Sequence, residues 1–183
     1  MIYPEKEKEI LLKMLKTLGG VLDDLNVTWS ICAGTLLGAV RTGKFIPWDY
    51  DVDICVHSFD KIQEIYDEMY RRGNIGGSLE QMNTYGCGKF ALCDLPQNPL
   101  CKIPTIDMYL IDYVKPLKLW RPMAPKTRRA WPLWNFPDPH YWPLKKIEFE
   151  GMLLPCPANP EALLKRFYGE DWETPNPNYE YHM

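Results

Sequence analysis

The apolar residues Ile10, Leu11, Met14, Leu15, Leu18, Leu22 and Leu25 recur at i, i+3 and i+4. That spacing predicts an amphipathic helix over residues 5–25, interrupted only by Gly19-Gly20. The short apolar, β-branched run Thr28 to Ala33 predicts a strand, which Gly34-Thr35 breaks. Leu36 to Arg41 reads as a short helix stopped by Gly43. Asp51 to Val56 alternates acid and apolar residues and reads as a strand with carboxylates at the start of one face. Ser58 is placed to cap a helix over about 59–72, with Ile62, Ile65 and Met69 inward and Gly73 at its end. Residues 85–93 and 104–114 read as strands, 115–145 shows no clear periodicity, and 146–149 reads as a last strand. Asn159-Pro160 opens a helix to Tyr168, with Gly169 as its stop. This order of elements predicts an α/β (α+β) fold with one mixed sheet flanked by helices.

Composition changes this picture in one respect. Of 17 prolines and 7 tryptophans, 15 prolines and five tryptophans fall between Pro96 and Pro177, so the second half is expected to be loop-rich and pinned by aromatics. A length of 183 residues predicts a single domain over 1–183, with a core of about 10–113 and a loop-rich region of about 114–183. The net charge of −3 argues against nucleic acid as a partner. No apolar run is long enough for an integral membrane segment, and the charged start lacks a signal peptide. The chain therefore reads as cytoplasmic, or as luminal in the Golgi if an anchor precedes it.

Cys32 and Cys55 sit in apolar runs and read as buried thiols. Cys87, Cys93 and Cys101 lack zinc-finger spacing, and a disulfide among them stays open. His57, His140 and His182 form no catalytic or metal pattern. Asn26-Val27-Thr28 is a glycosylation sequon, relevant only to a secreted chain.

The strongest chemical signal is Ile46-Pro47-Trp48-Asp49-Tyr50-Asp51-Val52-Asp53-Ile54. Residues i, i+2 and i+4 of a strand share a face, so three carboxylates crowd together and repel. An EF-hand loop is excluded, because Ile54 stands where glycine is needed and Asp60 where glutamate is needed. A solvated acidic turn leaves the buried pattern of Val52, Ile54 and Val56 without a reason. A metal site for phosphoryl chemistry explains both, with Mg²⁺, or Mn²⁺, as the hard cation that oxygen ligands prefer. Such a site needs a further acid on a neighbouring strand. Asp107, between Ile106 and Met108, is the best placed, ahead of Asp94 and Asp112. Ala33-Gly34-Thr35 supplies a small-residue turn where a backbone can approach phosphate.

Gly34-Thr35, Asp51-Val52-Asp53-Ile54 and Ile106-Asp107-Met108 resemble the nucleotidyltransferase signature. More specifically, Ala33 to Arg41 followed by Phe45 to Asp53 resembles the LicD family, which includes bacterial phosphocholine transferases, fukutin and fukutin-related protein. The resemblance is dense over about residues 10–57, thinner over 85–112, and returns at Asn159 to Trp172.

It implies a nucleotidyltransferase-like sheet and transfer of a phospho-alcohol, phosphocholine or a polyol phosphate such as ribitol phosphate. The donor would be CDP-linked and the acceptor a sugar hydroxyl of a glycan. Asp51, Asp53 and Asp107 are then expected to be catalytic and to hold Mg²⁺, with Asp49 in or beside the metal site. Gly34 and Thr35 are expected to present donors to phosphate. Arg41 is expected to grip a phosphate or pair with Asp49, and Trp48 to stack on the donor base or pack under the acidic turn. The acid-free basic run Lys115 to Arg129 is a solvated loop or an electropositive lid. Trp131, Trp134, Tyr141 and Trp142 either stack on substrate or anchor the proline-rich loop. A non-catalytic binding protein of a glycan pathway, and a nucleotidyltransferase proper, are the alternative readings.

Overall fold

A computed structural model describes residues 5–57, 59–94 and 103–177. The first helix, α1 (Glu5–Asp24), forms where the 3.6-residue period predicts it, and it buries Leu11, Met14, Leu15, Leu18, Val21 and Leu22. Each such side chain gives about 1.5–3 kcal/mol on leaving water. β1 (Trp29–Ile31) follows, then α2 (Ala33–Thr42), β2 (Asp51–Val56) and α3 (Ile62–Gly73). α2 begins three residues earlier than the sequence suggested, so Gly34 and Thr35 lie in its first turn. It ends at Gly43, whose φ of 70° is a conformation that glycine adopts without a Cβ clash. In α3 the inward residues are Ile62, Ile65, Tyr66 and Met69, and Asn74 rather than Gly73 takes the left-handed position after it. Ser58, Cys101 and His182 lie outside the described residues.

Next come β3 (Ile75–Gly77), α4 (Leu79–Tyr85), β4 (Cys87–Leu92) and β5 (Thr105–Val114). β3 and α4 were not foreseen, because strand β3 is three residues long and carries two glycines. After β5 the chain forms β6 (Leu119–Pro122), α5 (Pro125–Ala130), β7 (Phe136–Pro137) and α6 (Asp138–Tyr141), elements too short to show a period. The end is a hairpin of β8 (Lys145–Phe149) and β9 (Met152–Cys156), then α7 (Pro160–Tyr168). Asn159 caps α7 by accepting from the Ala162 N–H, as the Asn-Pro pair predicts. β9 was missed because Met152-Leu153-Leu154-Pro155-Cys156 has no clean alternation.

The main sheet runs β1-β2-β5-β4-β3, with β6 and β7 continuing from the far half of β5. β2 and β5 are parallel and the other pairings antiparallel, so the sheet is mixed. Alternation along its two central strands divides the core. Val52, Ile54 and Val56 of β2, with Ile106, Met108 and Leu110 of β5, join the larger cluster with α1 and α3. The opposite face carries Cys55, Tyr109 and Ile111, covered by Trp134, Phe136, Tyr141, Leu163 and Phe167. Asp51, Asp53 and Asp107 belong to that second face, towards the start of β2 and β5. Among the described residues no helix is long and apolar enough to cross a membrane.

Candidate active site

The parallel register places Asp53 directly beside Asp107 and Asp51 beside Thr105. Period-2 alternation therefore brings the β2 and β5 acids to one face, as the strand pattern predicts. Asp49 precedes β2 and reaches the same place from the loop. The common point is Gly34: a Cβ built there would stand 2.6 Å from Asp49 Oδ2 and 3.3 Å from Asp53 Oδ2. Only glycine leaves room for both carboxylates. Ala33, just before it, holds a φ of 43°, which a non-glycine residue seldom adopts. This tight corner lets the first turn of α2 meet the acids: the Gly34 N–H donates to Asp53 Oδ2 at 3.0 Å.

Thr35 plays a different part from the one expected. It is 3% exposed, and its Oγ1 accepts from the Asp53 N–H at 2.8 Å, so it ties α2 to β2 beneath the site and does not line the cleft. Asp49 Oδ1 accepts from the Tyr50 N–H, which sets the turn before β2. Burial, then the charges of Asp51, Asp107 and Asp49, push the Asp53 carboxyl well above its usual range, and the Gly34 N–H opposes them. Burial also raises Asp107, against the Lys89 ammonium, which pulls it down.

These residues border a cavity of about 800 Å³. The four acids and Gly34 form one side. Trp48, Tyr109, Trp131, Trp134 and Tyr168 give it aromatic walls, and the segment from Asp171 to Pro177 forms the remaining side. Arg41 also borders it, but its guanidinium donates to the backbone carbonyls of Trp172 and Thr174, so it fastens that segment. The expected aromatics separate into two groups. Trp131 and Trp134 reach the cavity and pack on Tyr109, with ring centroids 5.9 and 4.6 Å away. Tyr141 is fully buried, its hydroxyl bonded to Ser30 Oγ and His57 Nε2, and Trp142 lies outside the cavity in a cluster with His57 and Trp120. None of the six basic residues from Lys115 to Arg129 borders the cavity. Arg128 instead donates to the carbonyls of Pro122 and Met123, and Lys126 lies over the Tyr85 ring, so this run is no lid over the acids.

Sequence reasoning missed Lys89, whose Nζ donates to Asp107 Oδ1 at 2.7 Å and Oδ2 at 2.6 Å. Its signal was present: alternation in β4 buries Gly88 and Phe90 on one face and sends Lys89 to the other. The pairing of β4 with β5 could not be read from that. The segment 171–177 was also missed, having no periodicity.

The donor chemistry suits a hard dication: the charges of Asp51, Asp107 and Asp49 add to the burial that raises Asp53, and carboxylates crowded in this way are what Mg²⁺ or Mn²⁺ relieves. Among the described residues no three acid, histidine or cysteine side chains converge into a ready-made cage. Of the cysteines, Cys32 and Cys55 are buried thiols, while Cys87 and Cys93 are free.

Known proteins resemble this chain to different degrees. Ribitol 5-phosphate transferase FKRP of Mus musculus is 26% identical over 167 residues, covering 86% of this chain and 32% of FKRP. Lipopolysaccharide cholinephosphotransferase LicD of Haemophilus influenzae is 30% identical over 66 residues, covering 36% of this chain and 24% of LicD. The chain thus spans about a third or less of these two curated relatives. In fold it is similar to the lincomycin-bound lincosamide antibiotic adenylyltransferase LnuA, with a TM-score of 0.52 at 14% identity over 86% of this chain and 82% of that one. Residues 26–159, which include Asp49, Asp51, Asp53 and Asp107, match the family model described as LicD/FKTN/FKRP, nucleotidyltransferase domain, and the chain belongs to that family.

Proposed function

We propose that this chain transfers a phospho-alcohol group, phosphocholine or a polyol phosphate such as ribitol phosphate, from a CDP-linked donor to a sugar hydroxyl. The observation that carries the reading is the cross-strand pair Asp53–Asp107, joined by Asp51 and by Asp49 at the Gly34 corner, on a cavity large enough for a nucleotide-sized donor. The names of FKRP and LicD support the class of group transferred. Asp51, Asp53 and Asp107 would hold Mg²⁺ or Mn²⁺, with Asp49 beside them. Bound there, the ion would neutralise the donor diphosphate and stabilise charge on the transferring phosphoryl group.

The chain's own residues do the rest. The Gly34 N–H keeps Asp53 aimed along the start of α2, and Thr35 holds the backbone of β2 at that position. Asp107, in register beside Asp53, would accept the proton of the acceptor hydroxyl. The walls of Trp48, Trp131 and Trp134 exclude water and offer flat faces to base or sugar.

The test is a turnover assay with CDP-choline, CDP-ribitol and CDP-glycerol, with Mg²⁺ present or chelated. One donor is expected to be turned over only with the divalent ion, and Asp51→Asn to cost about a thousandfold in rate. Full activity of Asp51→Asn would sink this reading. Donor binding without turnover would favour a binding protein instead.

A further inference from the structure

Asp107 has a partner for which the reaction above gives no role. β4 runs antiparallel to β5 with Lys89 directly opposite Asp107, and on the other side of β5 Asp53 stands in register with Asp107. Three neighbouring strands therefore carry carboxylate, carboxylate and ammonium in one row. The Lys89 ammonium donates to both oxygens of Asp107, at 2.7 and 2.6 Å, and Tyr109 OH adds a long contact of 3.5 Å to Oδ2. The Asp107 side chain is 13% exposed and that of Lys89 is 48%. The carboxylate is thus confined by the sheet, while the ammonium sits on a flexible four-carbon stem with an open path to water.

Charge-assisted bonds from Lys89 take one lone-pair site on each oxygen and set a positive charge beside the carboxylate. An ion that takes Asp107 as a ligand must therefore work against the Lys89 charge, which repels it and draws on the same carboxylate.

We propose that Lys89 is a built-in counter-cation that holds Asp107 in position and competes with the divalent ion for it. This rests on reading the acid cluster as a divalent-cation site. Lys89 keeps Asp107 aligned when no ion is bound, and weakens ion binding in return. It acts through Asp107 and is a positioning residue. A plain cross-strand ion pair would hold β4 to β5 without altering the affinity of the cluster for a dication.

The experiment titrates Mn²⁺ alone into the full chain at pH 8, counting free Mn²⁺ by electron paramagnetic resonance and following the Tm. Unit charges a few ångströms apart near a protein surface interact strongly enough to change an affinity by about tenfold or more. Lys89→Met is accordingly expected to bind Mn²⁺ about tenfold more tightly than the unaltered chain and to gain more Tm from it. Lys89→Arg, which keeps the charge and both donors, is expected to stay near the unaltered affinity. Equal or weaker Mn²⁺ binding by a folded Lys89→Met protein overturns the proposal.

A second measurement needs no variant. Acylation of the Lys89 amine in the unaltered chain, followed by peptide mapping, is expected to speed up several-fold on saturation with Mn²⁺, and an unchanged rate overturns the proposal as well. If no form of the chain binds Mn²⁺, the divalent-cation reading falls, and this proposal with it. If the unaltered chain binds Mn²⁺ while Lys89→Met gains nothing, only the role of Lys89 falls.

Discussion

At Gly34 the absence of a side chain is a requirement of the site. A methyl group there would stand 2.6 Å from Asp49 Oδ2, inside any tolerable contact, so Gly34→Ala must push Asp49 or the start of α2 aside. The expected result is a loss of at least about tenfold in divalent-ion affinity with only a few degrees of Tm change, since the clash is confined to the cavity edge. Calorimetry with Mg²⁺ beside a melting curve separates the two effects.

Asp53 shows the opposite balance. Its carboxyl is raised by burial and by Asp51, Asp107 and Asp49, so the folded chain holds this proton more tightly than the unfolded chain does. Its contribution to stability is complete below the ordinary carboxylate range and is lost as pH rises through the raised folded value. At neutral pH without a divalent ion, Asp53→Asn should therefore raise the Tm by a few degrees, since the amide oxygen still accepts from the Gly34 N–H. The same variant should no longer gain Tm from Mg²⁺. A lower Tm in the ion-free variant would contradict this account of the charge.

Among the elements, β2 and β5 make the acid cluster legible from the order of residues alone. Apolar residues at 52, 54, 56, 106, 108 and 110 fix one face to the core, so the acids between them must share the other. The start of α7 is equally legible, because Asn159 and Pro160 carry the cap chemistry themselves. The role of Thr35 was not, since a buried hydroxyl meeting a backbone N–H 18 positions away depends on how α2 packs on β2. Nor was that of Tyr141, which joins three elements: its hydroxyl meets Ser30 of β1 at 2.9 Å and His57, just past β2, at 2.7 Å. Tyr141→Phe strands two polar groups in the interior and is expected to cost about 1–3 kcal/mol, read as a lower denaturant midpoint with an unchanged slope.

The same junction sets a pH dependence. Burial lowers His57 to about 4. The unfolded imidazole titrates near 6.5, so the unfolded chain takes up this proton first. The stabilisation is therefore present above about pH 6.5 and drains away between there and about pH 4, by at most about 3 kcal/mol. Denaturant midpoints across that range should fall in the unaltered chain and fall less in His57→Gln.

Across the whole molecule, segments far apart in sequence meet at the cavity. The acids come from residues 49–107, and the segment from Asp171 to Pro177 forms the facing wall. That segment follows α7 without regular structure of its own, and Arg41 fastens it from α2 through the carbonyls of Trp172 and Thr174. Trp172 is also 9% exposed and packs into the larger apolar cluster, so its ring and its carbonyl are anchored by different forces. Arg41→Met keeps most of the apolar stem and removes only the donors. The ring should stay seated while the carbonyls lose their fastening, loosening the wall from its Thr174 end. Limited proteolysis is then expected to cut within 173–177 at least several-fold faster, with little change in Tm, because local opening draws on local contacts. If the segment also completes the donor pocket, KM for the donor should rise about tenfold while kcat changes less, because the lost order is paid on binding rather than at the reacting phosphorus. An equal fall in kcat and kcat/KM would instead place the Arg41 guanidinium at the transferring phosphoryl group.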